Sequence, residues 1–435
     1  MVTLLNERSP FEKAFALHAA GRHEDAELAY RHILAVDPLH LDAQHHLGIL
    51  LHQMGQSQAG IALILRCLEA EPGHATRYND LGNVLTQTGD LAHAAVAFRM
   101  SLDFNGADAN VWNNLGSVRH RQNKIAEAES AYRQALHHAA DFVPALSNLA
   151  RLLSETGRDE ESSLLSCKAF IQPPLSEKSP KMLGIAYYRL GRLAEAAECY
   201  RAWLQAEPGH PIAQHHLAAC TREQVPARAA DGFVTKLFDE MAESFDEKLV
   251  GGLAYRGPQI IAGLLEAHLS PHQALNVLDG GCGTGLCAPL LVPYARRITG
   301  VDLSAAMLAK ARERQLYTEL AQGELTAYLD GQPNTFDLVV MVDVLIYFGD
   351  LAMVFEATKQ ALRPNGWFAF TVECAMHPGV QVPYRLDPSG RFSHSADYVR
   401  QTLEAAGLPP LSIQEVTLRN EFCKPVRGIA VLARC

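Results

Sequence analysis

An acid closes an apolar run at Asp279, and Gly280, Gly281, Gly283 and Gly285 follow it directly. The run reads as a buried parallel strand, and glycines placed after such a strand let the backbone approach a ligand where a helix begins. A second acid, Asp302, ends the run 297–302, RITGVD. It stands roughly 20 residues downstream, where the second strand of a doubly wound sheet delivers a carboxylate to ribose hydroxyls. Together the two features define half of a nucleotide-type cofactor site.

Glycine spacing narrows the cofactor. A dinucleotide fingerprint, G-x-G-x-x-G, needs its third glycine where this chain has Leu286. No Gly-Lys-Ser/Thr follows the loop, so a phosphate cradle lacks both its lysine and its metal-binding hydroxyl. Asp279 would repel phosphates but suits a cationic amino group or an ordered water. S-adenosylmethionine carries an ammonium and a sulfonium and no phosphate, and is the cofactor these residues fit.

Five motifs then occur in order: VLDGGCGTG (277–285), GVDLSAAML (300–308), GEL (323–325), FDLVVMVDVLIYFGDL (336–351) and LRPNGWFAFTVE (362–373). With them the segment from about residue 232 to 435 resembles a class I S-adenosylmethionine-dependent methyltransferase, and in detail the bacterial ones fused behind tetratricopeptide repeats. The resemblance implies a Rossmann-like α/β domain with a seven-stranded, mostly parallel sheet. It implies that the backbone of Gly281, Cys282, Gly283, Thr284 and Gly285 approaches the methionine part of the cofactor, with Asp279 near its amino group. Asp302 would accept the ribose hydroxyls, Leu303 and Met307 pack on the adenine, and Glu324 and Leu325 read the adenine amino group. Asp343 would stand beside the transferred methyl, binding cofactor, orienting substrate or acting as a base, with Tyr347 one helical turn on. The chain has DVLIY where amino-group methyltransferases of adenine or glutamine carry an Asn/Asp-Pro-Pro-Tyr/Phe clamp, which removes those acceptors as first choices.

Methyl transfer to an activated carbon asks the protein mainly to position a nucleophile and, for a hydroxyl or ammonium, to remove a proton. Candidates lie in the stretch 374–395, which leaves the carboxyl edge of the sheet. His394 is the first candidate for a base and Arg391 for an anionic substrate group, with Tyr384 and Glu373 behind them and Tyr255 and Arg256 after the first helix. Structural alternatives stand beside each: His394 as neighbour of a helix cap, Arg391 paired with Asp387. A segment over 232–249, with Phe233, Leu237, Met241, Phe245 and Leu249 at intervals of four, reads as an amphipathic helix. By the same resemblance it is a lid, placing Phe238 near the sulfonium or substrate.

The first half is organised by repetition. Pro38 and Pro72 lie 34 residues apart, as do Pro174 and Pro208. Leu-Gly pairs (Leu47-Gly48, Leu81-Gly82, Leu115-Gly116) and small/aromatic pairs (Ala94/Phe98, Ala128/Tyr132) recur in the same register, the pattern of a tetratricopeptide (TPR) solenoid. Six repeats and a capping helix fill 7–222, all-α, with 223–230 as a linker and 231–435 as the methyltransferase domain. In one repeat Ser162 and Ser166 replace the packing pair, so its boundaries are softer. The repeat register places His45, Asn79, Asn83 and Asn113 on the groove, where amides suit an extended peptide from a protein partner or simply solvate a helix face. His45-His46 and His215-His216 recur because the repeat does, and no metal site is expected.

A formal charge of −10 and a pI near 6 disfavour nucleic acid. Nine cysteines without paired spacing suggest reduced thiols. Charges at Glu7, Arg8, Glu12 and Lys13 fall where a signal peptide needs an apolar core, and no apolar run approaches membrane length, so a cytoplasmic protein is expected. Three functions stay open: a methyltransferase whose repeats recruit a protein or carrier-bound substrate, a small-molecule enzyme whose repeats only oligomerise it, and a cofactor-binding scaffold without turnover.

Overall fold

The computed structural model describes residues 9–374, 382–422 and 424–435. The chain forms two compact units, Met1–Gln172 and Pro173–Cys435. The first holds five antiparallel helix pairs: α1 (Pro10–Ala19) with α2 (His23–Val36), α3 (Leu41–Gln53) with α4 (Ser57–Ala70), α5 (Ala75–Thr88) with α6 (Leu91–Phe104), α7 (Ala109–Arg121) with α8 (Ile125–His138), and α9 (Val143–Glu155) with α10 (Asp159–Phe170). In the third and fourth pairs a glycine on one helix faces an aromatic ring on the other, Gly82 against Phe98 and Gly116 against Tyr132. A Cβ on Gly116 would lie 2.6 Å from the ring of Tyr132, which is fully buried, so only glycine admits the ring there. In the fifth pair Ser162 instead donates to the Ala150 carbonyl at 2.7 Å and Ser166 to the Ser162 carbonyl at 3.0 Å, replacing apolar packing by backbone hydrogen bonds.

Successive pairs are clipped together mainly at an offset of 35 residues, one more than the repeat, with one further contact at 31. His45 meets Asp80 at 2.9 Å, Asn114 donates to Asn79 at 3.3 Å and to Asn83 at 3.2 Å, and Asn148 donates to Asn113 at 2.9 Å. The groove residues expected to bind a partner are therefore engaged by the next repeat. His45 and Asn113 are buried, since stacking the helices brings position n of one repeat against position n+1 of the following one.

The second unit opens with three further repeat helices, α11 (Pro180–Arg189), α12 (Leu193–Ala206) and α13 (Pro211–Thr221). The break between units thus falls ahead of the last repeat, whereas the sequence placed a linker at 223–230. The reason is packing across that stretch. His215 on α13 stacks on Phe233 with ring centroids 3.9 Å apart and donates to the Gly390 carbonyl at 2.8 Å, and His210 meets Lys236 at 2.6 Å. The stretch 223–230 is itself tied down, with Ala229 donating to the Tyr347 carbonyl at 2.7 Å and Gly349 to the Ala227 carbonyl at 2.8 Å.

Next comes α14 (Asp231–Met241), continued by a 3₁₀ turn at Ala242–Ser244 and a wide helical turn at Glu247–Gly252, where one helix was expected over 232–249. The rest alternates: α15 (Gly257–His268), β1 (Leu275–Gly280), α16 (Ala288–Leu291), β2 (Ala295–Asp302), α17 (Ala305–Glu313), β3 (Glu319–Gln322), α18 (Leu325–Asp330), β4 (Phe336–Met341), α19 (Ala352–Ala361) and β5 (Leu362–Cys374). It closes with β6 (Tyr384–Leu386), β7 (Phe392–His394), α20 (Ala396–Ala405), β8 (Pro410–Glu421) and β9 (Lys424–Arg434). Strands β3-β2-β1-β4-β5 are parallel, β9 runs antiparallel beside β5, and β8 pairs with β9. Both faces of this sheet are covered, so the central strands are apolar on each: Leu278, Val339 and Phe368 face one layer, and Val277, Leu338 and Ala369 the other.

Seven strands were expected and nine occur among the described residues. The extra pair, β6 and β7, forms because β5 runs on past the end of β4, and its last residues, Glu373 and Cys374, pair with Ser393 and His394. Part of the candidate acceptor stretch, 375–381, lies outside the described residues. Among those described, no helix is long and apolar enough to cross a membrane.

Candidate functional site

Strand order reverses at β1, with β2 on one side and β4 on the other, and that switch point opens a crevice at the carboxyl ends of the strands. A cavity of about 430 Å³ occupies it. Gly281 adopts a φ of +68°, and a Cβ there would collide with Val344, so glycine alone lets the loop turn toward the cavity. Gly281, Cys282, Gly283 and Thr284 line the cavity, while Gly285 turns toward Arg314 and Tyr317. Asp279 is buried behind the loop and accepts from the Tyr317 hydroxyl at 2.6 Å. Burial pushes it up to about 6 and that hydrogen bond acts against the rise.

Asp302 lines the cavity at the end of β2. Its two oxygens accept from the amides of Gly283 and Ser304, both at 2.9 Å, which fixes the carboxylate against the loop, while burial raises its pKa. Leu303 lines the cavity as well. Met307, expected on the adenine, is fully buried within the domain and does not line it. At the start of α18, Glu324 caps the helix through Oε2, accepting from the Ala327 amide at 2.8 Å. Its other oxygen, Oε1, is buried without a partner, and Glu324 and Leu325 both line the cavity. An unpartnered carboxylate oxygen fits an exocyclic amino group.

The segment that the resemblance makes a lid is fastened to this half of the site. Asp239 accepts from Ser304 at 2.5 Å; Asp246 accepts from the Thr284 hydroxyl at 2.5 Å and also pairs with Arg314. Phe238 lines the cavity and meets both Phe245 and Tyr347 edge-on, with centroids 5.9 and 5.6 Å apart. Sequence reasoning missed Arg314, Tyr317 and Asp246. Of these only Asp246 carried a local signal, as the acid directly after Phe245 in the lid segment.

The opposite wall is ionic. Asp343 follows β4 with a φ of +58° and accepts through Oδ2 from Arg419 at 2.7 Å, whereas Oδ1 is buried without a partner. Arg419 also pairs with Glu373, and Arg391 donates to Glu373 at 2.7 Å and pairs with Glu421. Two guanidinium groups therefore face three carboxylates. Burial raises the Asp343 pKa and Arg419 opposes that rise; burial also lifts Tyr347, on the same cavity, to about 12. Arg391 is thus committed to Glu373 and Glu421 and not to Asp387, whose carboxylate is taken by Arg385 at 2.7 Å. Arg419 was not anticipated, because one arginine in a strand 76 residues beyond Asp343 has no local signature.

Four acceptor-side candidates lie off the cavity lining, Glu373 held between the two arginines and three others packed into the fold. His394 is fully buried, donates to the Gly349 carbonyl at 3.1 Å, and stacks on Tyr398 at 6.1 Å; burial lowers it to about 4. It supports the fold and has no path to an acceptor proton. Tyr384 packs on Phe392 and Tyr398, and Arg256 stands just before α15, its amide bonded to the Leu418 carbonyl at 2.9 Å. Tyr255 does line the cavity, and burial raises its hydroxyl well above the usual value.

Comparison with known proteins fits this geometry. A family profile described as a methyltransferase domain matches residues 278–370, and tetratricopeptide profiles match 41–74, 79–144 and 181–225. A probable S-adenosylmethionine-dependent methyltransferase of Mycolicibacterium smegmatis is 30% identical over 177 residues, 37% of this chain and 68% of that protein. The chain belongs to the S-adenosylmethionine-dependent methyltransferases. A ubiquinone biosynthesis O-methyltransferase of Albidiferax ferrireducens is 32% identical over 112 residues, covering 24% of this chain and 43% of that relative's length. A solved S-adenosylmethionine-dependent methyltransferase of Mesorhizobium loti shares 24% identity with a TM-score of 0.32, covering 40% of this chain and 96% of its own. The cofactor is S-adenosylmethionine, and the methyltransferase domain stands behind TPR repeats.

Proposed function

We propose that this methyltransferase transfers the cofactor's methyl group to a nucleophile that enters the cavity of the second unit, and that the repeats recruit the protein or carrier presenting it. S-adenosylmethionine supplies, when bound, a methyl group activated by a sulfonium. Gly281 to Thr284, Asp302, Leu303, Glu324 and Leu325 would hold it, because they line one end of the cavity and offer unfilled acceptor capacity at Glu324. Asp343 would receive the acceptor's proton or orient the acceptor, and Tyr347 and Phe238 would shield the reacting atoms from water. The observation that carries this reading is the unpartnered Oδ1 of Asp343 on the same cavity as the cofactor loop. A carboxylate whose pKa is raised by burial is a stronger base at neutral pH than an exposed one.

Incubation of the full chain with methyl-labelled cofactor and size-fractionated extract tests it. Label in a macromolecular fraction supports recruitment, label confined to small metabolites supports a free acceptor, and cofactor binding with no transfer to any fraction supports a scaffold. The small-acceptor reading is favoured by one specific feature, the contribution of the last repeat to the cavity wall.

A further inference from the structure

We propose that the last repeat supplies a wall of the acceptor pocket, and that this pocket takes a flat apolar molecule bearing a hydroxyl, a phenol by chemical class. The inference rests on the small-acceptor form of the methyltransferase reading above and names its substrate class.

Ile185 and Tyr188 of α11 and His216 of α13 line the same cavity as Asp343 and Tyr347. Opposite α11 stands Phe422, in the turn between β8 and β9. Its ring lies edge-on to Tyr188, with centroids 6.5 Å apart and planes at 70°, and Arg189 covers its face at 3.8 Å. Phe422 also lines the cavity, so two aromatic rings, one from the repeat and one from the sheet, bound its outer end. Such walls accept a planar apolar body by stacking and edge contact.

The inner end sets the head group. Arg419 is bonded to Asp343 and Glu373, and Arg391 to Glu373 and Glu421, so neither guanidinium is spare for an anionic acceptor. Three carboxylates against two cations leave one negative charge in excess, which repels a carboxylate or phosphate. Lys181, on the repeat side, is paired with Glu240 at 3.1 Å. The open valence is an acceptor, Oδ1 of Asp343, and a hydroxyl donates to it. In the transfer the hydroxyl oxygen bonds to the methyl carbon as the carbon–sulfur bond breaks. That bond's electron pair stays on sulfur, and the hydroxyl proton passes to Asp343.

The full-length protein saturated with S-adenosylhomocysteine is titrated with 2-naphthol, whose fluorescence reports binding, and in parallel with 2-naphthoate. Expected are saturable 2-naphthol binding, 2-naphthoate binding weaker by about tenfold or more, and a loss of about tenfold in 2-naphthol affinity in Tyr188→Ala and in Ile185→Ser. Both variants should keep S-adenosylhomocysteine affinity within about twofold, because neither residue lies at the cofactor end. Naphthoate binding as tightly as naphthol, unchanged naphthol affinity in both variants, or no naphthol binding by protein that does bind S-adenosylhomocysteine would each overturn the proposal. Failure to bind S-adenosylhomocysteine at all would overturn the methyltransferase reading, and this inference with it.

Discussion

Arg419, near the end of β8, donates to Oδ2 of Asp343, just after β4, at 2.7 Å, and by occupying that oxygen leaves Oδ1 as the buried acceptor of the site. Arg419 is 4% exposed and also holds Glu373. Arg419→Met should therefore leave the Asp343 carboxylate without its cation and Glu373 with Arg391 alone, and destabilise the protein by about 3–5 kcal/mol, measurable by urea unfolding. An unchanged midpoint and slope would show that the network contributes nothing to the fold.

Asp246 joins the lid to the cofactor loop through Thr284 and to α17's C-terminal end through Arg314. Asp246→Ala removes both contacts while the sheet keeps its core. The expected result is cofactor affinity weaker by about tenfold, close to 1.4 kcal/mol, with little change in melting temperature. Isothermal titration with S-adenosylmethionine measures it, and equal affinities would mean that the lid closes without this clasp.

Glu324 presents one capped and one unpartnered oxygen. Glu324→Gln can keep the helix cap through its carbonyl but turns a donor toward the cavity. S-adenosylhomocysteine should bind about tenfold more weakly to the variant, and S-inosylhomocysteine, which offers an acceptor at the same ring position, should lose less or gain. Identical ratios for the two ligands in both proteins would remove Glu324 from base recognition.

Gly116 packs on the fully buried ring of Tyr132. Gly116→Val overfills that contact and should cost about 1–3 kcal/mol, seen as a lower melting temperature with cofactor affinity unaltered. A variant as stable as the parent would show that the helix pair can separate without loss.

Burial lowers His216 to about 3 and His394 to about 4 from the usual 6.5. Both folded values lie below the unfolded one, so the unfolded chain takes up more protons as pH falls. The stability each neutral ring confers is full above pH 6.5 and is lost progressively toward pH 4 and below. Asp279, raised from 3.8 to about 6, runs the other way: its contribution is full below pH 3.8 and is lost as pH rises through about 6. Replacing His394 isolates one sign. His394→Asn should show a shallower fall in stability between pH 6.5 and 4 than the parent, by up to about 1.4 kcal/mol per pH unit. Parallel profiles would mean that His394 titrates as if exposed.

The cofactor half was legible because it is local. Strand, terminal acid and glycine turn are consecutive at 275–285, strand and terminal acid again at 297–302, and the structure brings Gly281, Asp302 and Glu324 to one cavity. The other half was legible only in part: Tyr255, Asp343, Tyr347 and Arg391 line the cavity, whereas His394, Tyr384 and Arg256 do not. His394 and Arg391 share a polar stretch that looks like a site, yet β5 outruns β4 and recruits that stretch as strands, which buries His394 at the pairing with Cys374. Arg391 then meets Glu421, a partner 30 residues away on another strand.

The repeats divide the same way. Their period specified the helix pairs and the small-to-aromatic contacts inside them, since those residues lie within one 34-residue unit and face each other by helical geometry. Which polar side chains remained open on the groove depended on stacking, which set the 35-residue offset that joins Asn79 to Asn114 and Asn113 to Asn148. The fold class, the cofactor and the loops that line the cavity could be read along the chain, because each is written in neighbouring residues. That α11 and α13 border the same cavity and that Arg419 answers Asp343 emerged only on folding, because those pairings depend on surfaces brought together from distant parts of the chain.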